Sequence, residues 1–221
     1  MTPPASDRVR RSWSNRVVAE YRSAALTAEL LHWLIELGVS PDTLAVAHRI
    51  VSDELAHAEL SREVLTLAGG GEVAIDRATL RSHLEPAAPI ELRALAVCAR
   101  TFCCGETVAV PLFRALRAEA RVERTWPAFD RILADEAVHR AFGWDLLDEL
   151  LERLGDPGRA WLTERVPAYV DGLRRAYRDV GDAFPDADRA WGLMPSGRFA
   201  AITDACVRET ILPWFARRGG A

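Results

Sequence analysis

Residues 49–57 read R-I-V-S-D-E-L-A-H, and residues 131–139 read R-I-L-A-D-E-A-V-H. Arg, Ile, Asp, Glu and His recur in register, and Val51 is answered by Leu133. Both copies lie in stretches whose apolar residues return with the period of an α-helix. Glu54 and His57 are three apart and so share a helix face, as do Glu136 and His139. A carboxylate buried without compensation costs about several kcal/mol or gives up its charge. A chain with two such faces must therefore fold so that they meet around something that takes up that charge.

The rest of the chain supplies helices to do this. Strand-like alternation is scarce, and Ala, Leu, Arg and Glu dominate. The pattern predicts helix 1 over about 12–37, stopped by Gly38, and helix 2 from Ser40-Pro41 to about Ala68. A long connection over 72–88 follows, with one helical turn around Ala78–His83. Helix 3 is expected from near Pro89 to about Arg121, and helix 4 from Trp126-Pro127 to near Gly155. Two hairpins joined by a long crossover make an all-α antiparallel four-helix bundle, with its core in 12–154. Two further helices, about 159–180 and 195–217, are separated by the hinge G-D-A-F-P-D-A-D. They form a C-terminal extension (158–217) of one single domain (1–221). Its Trp161, Leu162, Val166, Tyr169, Phe199, Ile202, Ile211 and Leu212 are expected on the bundle's flank.

Helices 1 and 3 should each offer one inward carboxylate. On helix 3, Glu106 shares a face with Leu95, Ala99, Phe102, Cys103, Val110 and Phe113. On helix 1, Glu20 lies with Trp13, Val17, Ala24, Leu31 and Leu34, whereas Glu29 lies with Asn15, Arg22 and Glu36, plus Trp33. Antiparallel neighbours meet when equidistant from their turn. Glu20 and the 54–57 pair are centred on Gly38; Glu106 and the 136–139 pair are centred near residue 122. Glu29 would need a turn inside helix 2. Glu29-Leu30-Leu31-His32 is thus read as a partly exposed decoy, and His48 and His83 as surface residues. Four carboxylates (Glu20, Glu54, Glu106, Glu136) and two imidazoles (His57, His139) then reach one level. Two divalent cations would neutralise the four Glu, and the mixed oxygen and nitrogen set suits iron or manganese.

Composition narrows the chemistry. The formal charge of −4 gives no electrostatic footprint for nucleic acid, although Arg8, Arg10, Arg11 and Arg16 form a local basic patch. All 28 basic residues are Arg, which excludes lysine Schiff bases and a P-loop lysine. Cys98, Cys103, Cys104 and Cys206 form no C-x-x-C pair, so no rubredoxin-like module is expected. The three within the apolar helical pattern, Cys98, Cys103 and Cys104, read as buried thiols, and a reducing cytoplasm is the natural setting. The opening M-T-P-P-A-S-D-R-V-R-R-S-W carries charges with no apolar segment behind it, so neither a signal peptide nor a membrane span is expected.

At Glu20, Glu106 and the two Glu-x-x-His pairs the chain resembles the ferritin-like di-iron carboxylate proteins, over about residues 12–154. The resemblance implies that Glu20, Glu54, His57, Glu106, Glu136 and His139 hold two iron ions, as Fe/Fe or Mn/Fe, with some of the Glu bridging. Asp53 and Asp135 match the Asp-Glu-x-x-His form of many oxygen-activating members. There the Asp accepts a hydrogen bond from a ligand His on the other motif helix. Rubrerythrin-type peroxidases usually carry a further Glu where this chain has Ala109. Bacterioferritins hold haem through Met, and only Met1 and Met194 occur here. Arylamine N-oxygenases add a His where this chain has Ile132. The four-Glu, two-His set that remains is similar to aldehyde-deformylating oxygenases and tRNA hydroxylases.

The resemblance implies an O2-dependent di-iron oxidase or oxygenase acting on an unidentified small molecule. The alternative is an iron-handling ferroxidase or a rubrerythrin-like peroxide scavenger. The expected partners are O2, the substrate and an external electron donor (a ferredoxin or a reductase), because no flavin, NAD or iron–sulfur fingerprint is visible. A homodimer is allowed; membrane and nucleic acid are not expected. Phe102, Cys103, Val110 and Phe113 are the candidates for a substrate-facing wall.

Overall fold

The computed structural model describes residues 3–181 and 184–219, and every regular element among them is helical. The first helix, α1, spans Asp7–Glu36, and α2 spans Pro41–Leu67. Each opens on a serine whose hydroxyl accepts from a backbone N–H three residues on: Ser6 from Val9 and Ser40 from Thr43. That cap moves the start of α1 from the expected residue 12 to Asp7. The charged D-R-V-R-R turn hides it, although Val9 is fully buried.

The connection that follows holds one 3-10 turn, Arg77–Thr79. Helix α3 then runs over Ile90–Glu119. Its middle, Cys98–Glu106, is a π-helix, which the periodicity did not predict. By length and composition α3 could cross a membrane, but 72% of its most apolar stretch is buried inside the protein, as in a core helix. Helical bonding next runs over Trp126–Ala176, broken at Gly155 (φ 61°, ψ −151°). Glycine reaches that conformation readily and other residues do not. The run is therefore two helices, α4 (126–154) and α5 (156–176). A short α6, Asp186–Arg189, lies in the expected hinge, of which Asp182 and Ala183 fall outside the described residues. Helix α7 (196–217) again contains a π-helical turn, Val207–Ile211.

Cross-helix bonds give the packing. Ser23 meets Glu54 between α1 and α2, and Asp53 meets Arg131 between α2 and α4. Thr43 reaches Glu149 further along the second pair. Trp144 donates to Thr107, and Arg117 meets Asp130, between α3 and α4. Arg93 meets Glu29, and Arg16 lies over Phe113, between α1 and α3. Numbers rise on one helix as they fall on its neighbour, so all adjacent pairs are antiparallel. Helices α2 and α3 therefore run in the same direction, and the connection between them must travel the length of the helices.

Helices α3 and α4 approach most closely at Gly143. A Cβ there would stand 2.5 Å from Phe102 Cβ, and the Cys98 and Cys103 thiols each lie 3.2 Å from its carbonyl oxygen. The C-terminal helices cover the flank. Trp144 packs edge-on against Trp214 and Phe215, and Trp13 donates to the Trp191 carbonyl. Leu162, Val166, Tyr169 and Ile211 are buried, while Trp161, Phe199, Ile202 and Leu212 are partly buried against the same core. Burial pushes the Cys104 thiol up to about 12 and Cys206 to about 11, so these groups behave as small apolar side chains.

Candidate metal centre

All six residues singled out from the sequence are buried, although they come from four helices. One ligand atom each of Glu20, Glu54, His57 and Glu136 lie within 4.8 Å of one another. His139 joins them, its Nδ1 standing 3.5 Å from Glu54 Oε1 and 3.3 Å from Glu136 Oε2. Glu106 lies outside that group of four and shares a cavity wall with Glu20, Glu54 and Glu136. Glu29 lies outside the cluster, bound by the Ser82 N–H at 2.7 Å and paired with Arg93. His32, His48 and His83 are exposed.

The two imidazoles present the same side to the carboxylates. His57 Nδ1 faces Glu54 at 3.5 Å and Glu136 at 4.0 Å. Neither Nδ1 has a hydrogen-bond partner, and neither do Glu54 Oε2 and Glu136 Oε2, although all are buried. The far side of each ring meets an aspartate from the opposite motif helix. His57 Nε2 lies 3.0 Å from Asp135 Oδ2, a hydrogen bond. Asp53 faces His139 Nε2 at 3.6 Å, too far for one.

The first residue of each repeated phrase belongs to this network. Arg131 donates to Asp135 on its own helix and, at 2.8 Å, to Asp53 on α2. Arg49 stands 3.3 Å from Asp53 and 3.9 Å from Asp135. Thus one guanidinium ties together the two aspartates that stand behind the two imidazoles. The register of Arg49 and Arg131 in the repeat was the available signal. Ser23 is a further addition, donating to Glu54 Oε1 at 2.8 Å, and it lies one turn beyond Glu20 on α1.

Burial sets the electrostatics. It is the main cause that raises Glu20 to about 8, with the charge of Glu54 second. It raises Glu54 to about 7, with Glu106 second, and drives Glu106 and Glu136 well above the usual carboxylate range. At Asp135 burial also acts upward, but bonds from Arg131 and His57 outweigh it and hold the carboxyl below its ordinary value. Four carboxyls that resist ionisation, facing two unpartnered imidazole nitrogens, fit a site completed by cations. Cations would remove the penalty on the charged carboxylates and give the orphaned nitrogens a partner.

A cavity of about 680 Å³ runs along the α1/α3 groove, and Glu20, Glu54, Glu106 and Glu136 form part of its wall. The 79–84 connection and Arg100 close one end; Arg16, Phe113, Leu116, Tyr177 and Phe199 line the other. Of the four expected wall residues only Phe113 lines it. Phe102 and Cys103 turn instead toward Gly143 on α4, because the wide π turns change the angle between residues that a uniform α-helix would give. The expected basic patch is also corrected. Arg10 bonds the carbonyls of Ala5 and Ala68, Arg8 lies over Phe184, and Arg16 turns inward. Arg16 shares the face of Trp13 and Glu20, but the rings of Phe113 and Phe129 that meet it come from α3 and α4, which periodicity does not show.

No protein-family model, curated protein or solved structure matches this chain.

Proposed function

We propose that the protein is an O2-activating, non-haem di-iron oxidase or oxygenase of the ferritin-like type, acting on a small molecule in the α1/α3 cavity. The observation that carries this reading is the pair of buried, unpartnered Nδ1 atoms of His57 and His139, both turned toward Glu54 and Glu136. The antiparallel packing of α1 to α4 and their long crossover are compatible with that fold. Glu20, Glu54 and His57 would hold one ion, and Glu106, Glu136 and His139 the other. A pair of redox-active ions would supply electrons to O2.

The chain's own residues do the rest. Asp135 accepts from His57 Nε2, which fixes the tautomer and leaves Nδ1 free to ligate. Arg131 holds Asp135 and Asp53 from outside, and Ser23 orients one oxygen of Glu54. Phe113, Leu112 and Leu116 present an apolar wall to the cavity. An external reductase or ferredoxin would restore the electrons.

The cavity beside the carboxylates favours a substrate enzyme over a storage subunit. The test is anaerobic titration with Fe(II), followed by O2, with iron per chain, O2 uptake and particle size measured together. About two irons per chain in a small oligomer, with stoichiometric O2 uptake, is the expected result. Hundreds of irons in a cage-sized particle would assign it to iron storage, and no bound iron would remove the metal reading altogether.

A further inference from the structure

Arg16 lines the cavity from α1, one helical turn before Glu20. Its guanidinium carbon lies 4.6, 4.7 and 5.2 Å from the ring centroids of Trp13, Phe113 and Phe129. Aromatic faces stabilise a cation, and a guanidinium stacks on them through its flat faces. Its N–H donors point outward in its plane and still need an acceptor. The Nη1 of Arg16 is buried and has no hydrogen-bond partner, and the carboxylate whose charge acts on the guanidinium is Glu20, one turn along α1. Four Glu and two divalent cations would sum to zero, so the metal centre would not balance this charge.

We infer that Arg16 is the anion anchor of the cavity, and that the substrate class is an amphiphilic carboxylic acid. Its head would accept from the Arg16 guanidinium where it lines the cavity, and its apolar body would lie along Phe113, Leu112 and Ala109 toward the carboxylate cluster. A single negative charge matches the single guanidinium. A dianionic phosphate would need several donors and would stand beside four carboxylates. Tyr177 lines the same end and adds a hydroxyl. Arg22, Arg81 and Arg100 also line the cavity, but they are exposed and hydrated, so an anion gains less from them. Helical side chains lean toward the N-terminus of their helix. The Arg16 guanidinium accordingly lies over Trp13, which sets the acid's head about 6–10 Å along the axis from the Glu20 level. The carbon presented to the cluster is then several bonds from the carboxyl group. For the reaction, this assignment rests on the metal reading; for binding, it stands on Arg16 alone.

The experiment compares decanoate, decanol and decylammonium by calorimetry and by intrinsic tryptophan fluorescence. It uses zinc-loaded protein and metal-free protein at about pH 6. The variants are Arg16→Met, Arg16→Lys and Arg100→Gln. Decanoate is expected to bind about 10- to 100-fold more tightly than decanol, the range of a hydrogen bond to a charged group. Decylammonium should bind worst. Arg16→Met should bring decanoate to parity with decanol while zinc per chain stays unchanged, and Arg16→Lys should restore part of the preference. Arg100→Gln should leave it intact. Parity in the wild-type protein overturns the assignment, and this arm needs no variant to fold. A preference that survives Arg16→Met, or is lost in Arg100→Gln, overturns it too, since the carboxylate then sits on the metal or at the mouth. If zinc does not bind, the metal reading fails on its own, and the metal-free comparison still decides the role of Arg16.

Discussion

Stripped of metal, the protein should lose stability as the pH rises through neutrality. Glu20 is only 7% exposed, and burial raises its carboxyl from an ordinary 4.5 to about 8. The folded value lies above the unfolded one. The folded chain therefore binds the more protons between them, and its advantage, complete below about pH 4.5, is lost as the pH passes about 8. The full span corresponds to about 5 kcal/mol, of which about 3 kcal/mol falls between about pH 5 and about pH 8. Glu54, Glu106 and Glu136 act in the same direction. Asp135 does not mask the trend, because its carboxyl is held low and is ionised throughout that window. The assay is urea unfolding of chelator-treated protein across this range, followed by the helical circular-dichroism signal. Unfolding free energy should fall by about 3 kcal/mol or more, and Glu20→Gln should flatten the slope. Divalent cations should reverse it, because ligands must lose their protons to bind and metal stabilisation then grows with pH. Stability that is flat or rising between about pH 5 and about pH 8 in the metal-free protein would refute the reasoning.

Three further outcomes are expected. Arg131→Met should weaken metal binding by about 10- to 100-fold, measured by competition with a chromophoric chelator, because both aspartates behind the imidazoles lose their shared donor; unchanged affinity would make Arg131 a surface residue only. Glu136→Ala should reduce bound metal below two ions per chain by elemental analysis, yet leave the metal-free protein equally or more stable near pH 8, since one buried carboxyl is gone. Gly155→Ala should cost about 1–3 kcal/mol in urea unfolding, the strain of forcing a side chain into that backbone conformation; a neutral result would mean that the α4/α5 junction relaxes.

The repeat R-I-x-x-D-E-x-x-H is local information, and so was much of what it carried. A separation of three on a helix fixes a shared face whatever surrounds it, which put Glu54 with His57 and Glu136 with His139 before any packing was known. Equidistance from a turn is nearly as local. The turns at Gly38 and at 120–125 stand where the pairing of Glu20 and Glu106 with the two motifs required them. The Ser40 cap, the break at Gly155 and the inward phase of Glu20 over Glu29 were legible for the same reason. Three things were not. The π-helix at Cys98–Glu106 depends on how closely α3 meets α4 at Gly143, a contact between residues some forty positions apart. Arg49 and Arg131 were visible in the repeat, but their targets are aspartates shared across two helices. Arg16 looked like one of four surface arginines until Trp13, Phe113 and Phe129, from three different helices, closed around it. Helical phase says which way a side chain points. Only the packed neighbours decide what it finds there, because burial, unpaired donors and cavities belong to the contact between helices and to no helix alone.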